Sequence, residues 1–489
     1  MMFRGRVRHI HFVGVGGVGM SGIAEILRSL EFEVSGSDLR EGANTLRLAS
    51  LGVRIDVGHE PGNVHGSDVV VCSTAIKGDN PEVVEAKELG IPVIGRADML
   101  AELMRVKYGV AIAGSHGKTT TTSLVATILR AAGLDPTVTV GGKMESLGSN
   151  ARLGGGDLMI TEADESDGTF LKLNPTIAVT TNIDPEHLDY WGTFDKLCEA
   201  FVEYINRIPF YGLAVLCLDH PTVQNLLPKV TSRHVTYGVS PQADYSVRGV
   251  QYRGMETHFH VYRRGEPLGG FRLRMPGAHN VLNCLAAIAI ADELGVPRQV
   301  TKDALRTFDG VGRRFSVVGD VAGVKLIDDY GHHPAEIRAT LEAARRAFPE
   351  VRHRIVAVFQ PHRYSRTRDL FDEFALSFNQ TDLLFVSGIY PAGEKPIDGV
   401  SAEALVNAIE EHGHQGVELA NDKDELPERL SAVLREGDVV ITLGAGDINR
   451  IHGELAQLLA SHDVPPGRAS EAGSIAQQRD SELPEEGEP

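Results

Sequence analysis

Residues 111–133 read AIAGSHGKTTTTSLVATILRAAG and join an apolar strand pattern to a glycine-containing loop. A phosphate-binding loop usually has the form G-x-x-x-x-G-K-[ST], but Ile112 occupies the position of the first glycine. The flanks still fit that role, because apolar residues after the loop recur at helical spacing as far as Gly133. The stretch therefore predicts a strand, a shortened phosphate loop and a helix, with Lys118 binding phosphate and Thr119 binding Mg²⁺.

The four consecutive threonines at positions 119–122 support this prediction. Side chains branched at Cβ restrict the first turn of a helix, so they are poor choices there unless their hydroxyls have a role. We expect these hydroxyls to cap exposed N–H groups or to bind a metal.

The alternation of apolar runs with helical patterns over the first 465 residues predicts an α/β fold with mostly parallel sheets. A length of 489 residues suggests roughly three domains. We place them at residues 1–106, 107–312 and 313–465. The acidic, apolar-poor segment 466–489 is predicted to be a disordered tail. Strands are predicted within residues 9–15, 33–38, 68–76, 91–95, 108–114, 157–164, 176–184, 354–361, 382–393 and 438–447.

Charge and composition exclude several functions. A formal net charge of -18 argues against general nucleic-acid binding, which needs a basic surface. No apolar run approaches the ~18 residues of a membrane span, so no membrane insertion is expected. The basic opening residues lack a small-residue cleavage site, which predicts a cytoplasmic protein. The four cysteines are far apart and are expected to be buried, reduced thiols.

The stretch GVGGVGMSG, residues 14–22, predicts a nucleotide-binding turn. Gly14, Gly16 and Gly19 form G-x-G-x-x-G between a strand and a helix, and Asp38 follows at the end of the next strand. Close backbone approach and a helix N-terminus suit a pyrophosphate. A nicotinamide dinucleotide, a flavin dinucleotide and a nucleotide-sugar all remain open on this motif alone.

Two acidic turns follow strands of the predicted central domain. TEADESDGTF at 161–170 carries Glu162, Asp164, Glu165 and Asp167, and TNIDPEHLDYW at 181–191 carries His187. Mg²⁺ prefers carboxylate and phosphate oxygens, so these turns predict a metal site beside the phosphate loop. A solvated acidic turn and a structural histidine are the alternatives.

Three further polar stretches are candidates. IDDYGHHPAEI at 327–337 and FQPHRYSRTRDLF at 359–371 each follow a strand, and the second has three arginines suited to a carboxylate or phosphate. PGAHNVLNCLAA at 276–287 places polar side chains on the first turns of a helix. Exposed arginines and helix capping are the alternative readings.

Taken together, these stretches resemble the Mur ligase family of ATP-dependent amide ligases in cell-wall precursor synthesis. The resemblance covers residues 8 to about 460 and rests on GVGGVGMSG, AGSHGKTTTT, EADESD, IDDYGHHPAE and FQPHRYSRT. The short loop G-x-x-G-K-T-T is that family's own form. The resemblance implies three domains: a Rossmann-like UDP-binding domain, a P-loop ATPase-like central domain and a Rossmann-like C-terminal domain that binds the amino acid.

The resemblance also implies roles for individual residues. Those implied to bind ATP are Gly114, Ser115, His116, Gly117, Lys118, Thr119, Thr120, His279, Asn280, Asn283, Arg314 and Asp329. Those implied to bind the UDP-sugar are Gly14, Gly16, Gly17, Gly19, Met20, Asp38, Ser73 and Thr74. The implied Mg²⁺ ligands are Thr119, Glu162 and His187. The implied catalytic residues are Lys118, His187, His332, His333, Arg363 and Arg366.

The reaction implied is the joining of L-alanine to the lactyl carboxylate of UDP-N-acetylmuramate through an acyl phosphate, with ATP as co-substrate. A monomer or homodimer is expected. Many relatives carry a carbamylated lysine 14 or 15 positions after the metal histidine, but Phe201 and Val202 stand there, so that modification is not predicted. The alternatives are a recycling ligase that attaches a whole tripeptide, a nucleotide-dependent oxidoreductase and an inactive UDP-sugar sensor.

Overall fold

The computed structural model describes residues 7–73, 75–105, 107–144, 149–349, 353–461 and 465. Within these residues the chain forms three sheets flanked by helices, as the α/β prediction requires. Two predictions lie outside the described residues: the UDP-sugar contact of Thr74 and the acidic tail. Five short 3-10 helices complete the described elements: Pro61–Val64, Thr169–Lys172, Leu227–Lys229, Lys423–Glu425 and Ile448–Arg450.

The first sheet has five strands in the order β3-β2-β1-β4-β5, and its neighbouring strands pair in parallel. This is the order of a Rossmann half, in which the strand order reverses at β1 and ligands bind beyond its carboxyl end. Its strands are β1 (His9–Val13), β2 (Glu33–Asp38), β3 (Arg54–Val57), β4 (Val69–Cys72) and β5 (Val93–Gly95). Its helices are α1 (Val18–Ser29), α2 (Ala43–Ser50), α3 (Pro81–Glu88) and α4 (Arg96–Met104).

The second sheet has ten strands in the order β15-β14-β13-β12-β11-β10-β6-β9-β7-β8. Its strands are β6 (Tyr108–Ala113), β7 (Thr137–Met144), β8 (Ser149–Arg152), β9 (Leu158–Glu162), β10 (Ile177–Thr180), β11 (Leu213–Cys217), β12 (His234–Gly238), β13 (Tyr245–Arg253), β14 (Glu256–Arg263) and β15 (Glu266–Leu273). Its helices are α5 (Lys118–Ala131), α6 (Leu188–Trp191), α7 (Phe194–Asn206), α8 (Pro221–Leu226), α9 (Ala278–Glu293) and α10 (Arg298–Arg306). The strand β6 pairs in parallel with both β9 and β10, so the carboxyl ends of these three strands lie side by side.

The third sheet has six strands in the order β16-β17-β21-β18-β19-β20, parallel except for the pair β16 and β17. Its strands are β16 (Ser316–Val321), β17 (Val324–Asp329), β18 (Ile355–Phe359), β19 (Leu383–Ser387), β20 (Val417–Ala420) and β21 (Val439–Leu443). Its helices are α11 (Pro334–Ala347), α12 (Tyr364–Asp369), α13 (Phe371–Ala375), α14 (Ala402–Glu411), α15 (Leu426–Val433) and α16 (Ile451–Ser461).

The chain forms two compact units. The first holds the first sheet and most of the second, and the second unit holds the third sheet with the segments Tyr252–Thr257 and Met275–His279. Inside the first unit α1 packs on β7 and β8, and a Cβ added at Gly22 would lie 2.6 Å from the Cβ of Ala151. The helix α1, which flanks the first sheet, therefore contacts the second sheet directly.

Burial explains which strands can be predicted from the sequence. The strands β1, β6, β18 and β21 are buried almost throughout, and strands covered on both faces read as continuous apolar runs. No helix in the described ranges is long and apolar enough to cross a membrane. All four cysteines are free thiols, but Cys72 and Cys198 are only half-buried, so the prediction of four buried thiols is wrong for those two.

Candidate active site

The loop between β6 and α5 has the strand, loop and helix that the sequence predicts. Two of its glycines have positive φ, +129° at Gly114 and +83° at Gly117. A Cβ at Gly114 would overlap the side chain of Thr181, and one at Gly117 would lie 2.5 Å from Asn283 Oδ1. Backbone conformation and crowding both require glycine at these positions, which lets a loop shorter than the usual one turn into the helix.

Side chains and backbone at the end of β10 hold this loop in place. The N–H of His116 donates to Asn182 Oδ1 (2.7 Å), and Asn182 Nδ2 donates back to the His116 carbonyl (3.1 Å). The Thr181 hydroxyl donates to the same carbonyl (2.6 Å), and the Asp184 N–H donates to Ser115 Oγ (2.9 Å). The roles of Asn182 and Thr181 are not predictable from the sequence, because nothing in the stretch TTNID shows which loop it contacts.

The ammonium group of Lys118 lies over the loop. Its Nζ donates to the carbonyls of Gly114 (2.6 Å) and Ser115 (3.2 Å), and it lies 2.9 Å from both carboxylate oxygens of Glu165. Burial alone would lower the pKa of Lys118, but the carboxylates of Glu165 and Asp164 outweigh it and raise the pKa above the usual value. The lysine therefore stays charged at neutral pH.

The prediction that all four threonine hydroxyls cap the helix or bind a metal is wrong for Thr121 and Thr122. Thr119 is partly exposed at the start of α5 and Thr120 is buried. Thr121 and Thr122 are fully buried, and their hydroxyls have no hydrogen-bond partner among the described residues. Both side chains face the core, so neither hydroxyl caps the helix.

The four carboxylates of the first acidic turn have different surroundings. Glu162 is partly buried at the end of β9, and Glu165 is buried against Lys118. Asp164 accepts from the Ser166 N–H (3.0 Å), and Asp167 accepts from both the N–H and the hydroxyl of Thr169. Burial opposes ionisation of Asp164, but Lys118 and the hydrogen bonds from Ser166 lower its pKa. Asp167 caps a 3-10 helix, so the turn is not a uniform acidic surface.

A set of side chains that could ligate a metal lies beside the loop. Glu165, Glu186 and His187 bring one ligand atom each within 4.8 Å of one another. His187 has a left-handed backbone conformation (φ 56°) at the start of α6, a strained geometry that is common at functional sites. Carboxylate oxygens with one imidazole suit a divalent cation that also binds phosphate. Of the predicted ligands, this set includes His187.

A histidine and carboxylate group borders the same site. Asp184 lies 3.2 Å from His116 Nε2 and 3.3 Å from His220 Nε2. Burial of Asp184 would raise the pKa of its carboxyl, but these two imidazoles outweigh burial and hold it well below its usual range. His116, a predicted ATP contact, is thereby tied to the end of β10.

Three of the predicted ATP contacts, His279, Asn280 and Asn283, lie at the start of α9. Asn283 is buried, its Nδ2 donates to Asn280 Oδ1 (3.4 Å), and its amide abuts Gly117. The structure thus places two of the three residues beside the phosphate loop. For His279, burial and the nearby charge of Arg314 lower the pKa to about 4, so its imidazole is neutral at pH 7.

The glycine loop after β1 is held by the end of β2. The N–H groups of Gly14 and Val15 donate to the Ser37 carbonyl (2.9 and 3.0 Å), and the Gly16 N–H donates to Asp38 Oδ2 (2.8 Å). Gly17 is the N-cap of α1, and the N–H groups of the three preceding loop residues are already bonded to β2. The predicted contacts Met20 and Ser73 lie nearby: Met20 is buried in α1, and the Ser73 N–H donates to the Val13 carbonyl (3.2 Å).

One cation beside the glycine loop has no counterpart in the sequence prediction. A Cβ added at Gly19 would lie 2.9 Å from Nη1 of Arg96, the first residue of α4. This guanidinium also helps to lower the pKa of Asp164, although burial and Lys118 have larger effects on that pKa. Arg96 therefore lies near both the glycine loop and the acidic turn.

In the second unit, the predicted ATP contact Asp329 is the last residue of β17, and the predicted contact Arg314 precedes β16. Asp329 is buried and accepts from the N–H groups of Phe315 and Gly331 (both 2.8 Å) and from the Thr340 hydroxyl (3.1 Å). Burial raises its pKa to about 6. Arg314 lies 3.5 Å from Glu336. Asp329 acts here as a buried hydrogen-bond acceptor.

The histidines and arginines predicted to act in the reaction occupy neighbouring loops of the third sheet. His333 is the N-cap of α11, and its Nδ1 accepts from the Ala335 N–H (3.3 Å). Burial lowers the pKa of His332 to about 3, and its ring lies 5.9 Å from that of His362. Arg366 Nη1 lies 3.4 Å from His362 Nδ1. Arg363 is exposed and has a positive φ of 72°.

A strand, phosphate loop and helix bearing Lys-Thr, with carboxylates at the neighbouring strand ends, is typical of enzymes that bind nucleoside triphosphates. Family models match along most of the chain: the Mur ligase family catalytic domain at residues 9–108, the Mur ligase middle domain at 112–291, and the Mur ligase glutamate ligase domain at 313–446. The chain belongs to the Mur ligase family.

Individual relatives are similar over nearly their full length. The chain is 70% identical to the UDP-N-acetylmuramate–L-alanine ligase of Sorangium cellulosum over 470 residues, covering 96% of this chain and 100% of that protein. It is 56% identical to the protein of the same name from Myxococcus xanthus, covering 93% and 96%. A crystal structure of UDP-N-acetylmuramate-alanine ligase from Thermotoga maritima matches with a TM-score of 0.77 and 30% identity, covering 92% of this chain and 98% of that one.

Proposed function

We infer that this chain is an ATP-dependent ligase that joins L-alanine to the lactyl carboxylate of UDP-N-acetylmuramate in peptidoglycan precursor synthesis. The observation that carries the inference is the phosphate loop: Lys118 is charged, fixed and adjacent to an acidic turn, in a chain 70% identical to a ligase of that name. Use of ATP agrees with the predicted cytoplasmic location.

The chemistry proceeds in two steps. A lactyl carboxylate is a poor electrophile, so one of its oxygens attacks the γ-phosphorus of ATP, ADP leaves, and an acyl phosphate forms. The neutral amine of alanine then attacks the carbonyl carbon, phosphate leaves with its bonding electrons, and the new amide nitrogen loses a proton. Phosphoryl transfer of this kind depends on positioning and charge neutralisation, which Lys118 supplies at the β- and γ-phosphates.

The residues around the loop fit a magnesium ion. Thr119, Glu162 and His187 would hold it, and the convergence of Glu165, Glu186 and His187 within 4.8 Å supports a divalent cation at this place. When bound, Mg²⁺ supplies positive charge to the phosphate oxygens. Glu165 has a second role, because its contact with Lys118 orients the ammonium group toward the loop.

The sugar nucleotide is assigned to the glycine loop after β1. The N-terminus of α1 favours a diphosphate, and Arg96 beside Gly19 would neutralise one of its charges. Because Arg96 also acts on Asp164, it lies toward the acidic turn that borders the ATP site.

The alanine carboxylate is assigned to the loops after β17 and β18. Arg363 and Arg366 offer planar guanidinium groups that can bind a carboxylate with two hydrogen bonds. His332 and His333 lie after β17 and would contact the acyl group; His332 is neutral, so it can donate or accept a hydrogen bond without adding charge.

We propose three functional domains at residues 1–106, 107–312 and 313–465, for the UDP-sugar, ATP and the amino acid. The family-model matches at 9–108, 112–291 and 313–446 support these boundaries, as does the gap between α4, which ends at Met104, and β6, which begins at Tyr108.

The direct test is product formation. The purified chain is incubated with ATP, Mg²⁺ and UDP-N-acetylmuramate, together with either L-alanine or the tripeptide that a recycling ligase attaches, and products are identified by mass spectrometry. We expect the alanyl product, with little or no tripeptide product. A tripeptide product without the alanyl product would move the chain to the recycling class.

A further inference from the structure

Glu82, in the first turn of α3, is a fully buried carboxylate that the sites above do not include. Its Oε2 accepts from the Ser37 hydroxyl (2.6 Å) and lies 3.3 Å from His59 Nδ1, and its Oε1 accepts from Asn63 Nδ2 (2.5 Å). His11 Nε2 lies 3.8 Å away. Burial would raise the pKa of Glu82, but the nearby His11 imidazole and the hydrogen bonds from Ser37 and Asn63 outweigh burial and lower it, so the group is ionised.

The hydrogen positions in this group follow from counting donors. Ser37 has one hydroxyl hydrogen, which a 2.6 Å contact with a carboxylate uses. His59 Nδ1 lies 3.1 Å from Ser37 Oγ and 3.3 Å from Glu82 Oε2, two atoms that can then only accept, so Nδ1 carries a proton. The Ser37 hydroxyl therefore both donates and accepts, which fixes its side-chain torsion angle.

The backbone of the same serine holds the glycine loop. Its carbonyl accepts from the N–H groups of Gly14 and Val15, and Asp38 beside it accepts from the Gly16 N–H. Three successive N–H groups of the loop are thus bonded to the last two residues of β2. The position of the loop depends on where that strand end is held.

We propose that Glu82 is a positioning residue for the sugar-nucleotide site. It holds the end of β2 through the Ser37 hydroxyl, and Ser37 and Asp38 hold the glycine loop so that the start of α1 faces the diphosphate. Glu82 does not touch the ligand, because it is fully buried beneath the end of β2 that holds the loop. The inference rests on the proposed function, which assigns this loop to UDP-N-acetylmuramate.

The test compares two glutamates of α3 in the full-length chain. Glu82→Gln replaces the anion with an amide whose NH₂ opposes the donors around it. Glu85→Gln, in the same helix, changes only an outward pair with the half-exposed His65 and is the matched control. The dissociation constant for UDP-N-acetylmuramate is measured by calorimetry, and KM and kcat are measured with each substrate varied in turn.

We expect Glu82→Gln to weaken binding of the sugar nucleotide about tenfold, since it loses charge-assisted hydrogen bonds that fix the loop. The KM for ATP and for alanine, and kcat at saturating sugar nucleotide, should stay within about twofold of the wild-type values. Glu85→Gln should match the wild type throughout. A general loss of structure would instead raise the KM for ATP as well, and that result would contradict a positioning role.

A second variant covers the case in which Glu82→Gln fails to fold. Ser37→Ala removes only the hydroxyl that links the carboxylate to the strand end, and it should weaken sugar-nucleotide binding in the same direction. Wild-type affinity in a folded Glu82→Gln protein, or in Ser37→Ala when the first does not fold, would overturn the inference alone. Absence of binding by the wild-type chain would instead contradict the proposed function, and the inference with it.

Discussion

The Nζ atom of Lys118 lies 2.9 Å from each carboxylate oxygen of Glu165, and the same carboxylate lies within 4.8 Å of ligand atoms of Glu186 and His187. One buried anion therefore borders both the lysine that is assigned to phosphate and the side chains suited to a metal. ATP phosphates and a divalent cation would enter a site in which positive and negative side chains are already paired.

Lys118→Ala should abolish ligation and leave binding of the UDP-sugar nearly unchanged. The ammonium charge is needed at the β- and γ-phosphates, and losing one such contact costs at least about a hundredfold in kcat. Lys196→Ala, an exposed lysine of α7, is the control and should behave as the wild type. Steady-state rates and calorimetry with UDP-N-acetylmuramate measure both effects. Wild-type turnover of Lys118→Ala at saturating ATP would show that Lys118 does not act at the phosphates.

Gly117→Ala should raise the KM for ATP about tenfold and lower stability. Its φ of +83° costs an alanine about 1 kcal/mol, and its Cβ would lie 2.5 Å from Asn283 Oδ1. Gly133→Ala separates these effects, because Gly133 has a similar φ of +75° but nothing within 4 Å. If both variants bind ATP equally well, the contact with Asn283 has no role in the site.

Glu162→Gln should raise the Mg²⁺ concentration needed for half-maximal activity by about tenfold, since an amide offers a neutral oxygen where this cation prefers a carboxylate. The exposed Glu199 of α7 supplies the control variant Glu199→Gln. Activity is measured across a magnesium titration at fixed ATP. Superimposable titrations for the wild type and Glu162→Gln would show that the end of β9 does not hold the ion.

Arg366→Ala should impair use of L-alanine more than use of ATP. A lost bidentate contact with a carboxylate costs roughly 1.5 to 3 kcal/mol, or one to two decades in the KM for alanine. Arg363→Ala should act in the same direction, and lysine replacements should rescue only partly. Arg368→Ala is the matched control, because that exposed arginine of α12 is paired with Asp369 at 2.7 Å. A rise in the KM for ATP alone would assign Arg366 to the nucleotide.

The stability of the second unit should depend on pH through Asp329. Its pKa is about 6 in the folded state and 3.8 as the unperturbed value, so the folded state binds the proton more tightly. The raised pKa therefore stabilises the fold at low pH, and this contribution is lost as pH rises through 6. Between pH 5 and pH 7.5 the loss should be about 1.4 kcal/mol. Urea unfolding of the wild type and Asp329→Asn at both pH values measures it; an equal difference at the two pH values would contradict the assignment.

The sequence predicts the fold well where strands are buried on both faces, as at β1, β2, β6, β18 and β21. The predicted strands do not include β13 to β16, whose exposed and buried residues alternate irregularly. They also omit β3, β7, β8, β12, β20 and the fully buried β11. Edge and half-exposed strands carry mixed composition, so an apolar run is a poor guide to them.

The site is predictable in part for a similar reason. The phosphate loop and the acidic turns are local patterns, and the structure places both at adjacent strand ends. The contacts of Asn182, Glu165 and Glu82 join residues that are tens of positions apart, and strand pairing decides them. The prediction that the hydroxyls of Thr121 and Thr122 cap the helix or bind a metal is wrong for a different reason. In a run of identical residues, the sequence does not show which side chains face the core.

Release of phosphate from ATP is the measurement that bears most closely on the proposed ligase activity. The wild-type chain is assayed with ATP and Mg²⁺ in the presence of UDP-N-acetylmuramate alone, L-alanine alone, both together, or neither. We expect rapid release only when both are present, with one phosphate for each alanyl product. Release that is equally fast without alanine, or no release with both substrates, would contradict the proposed activity.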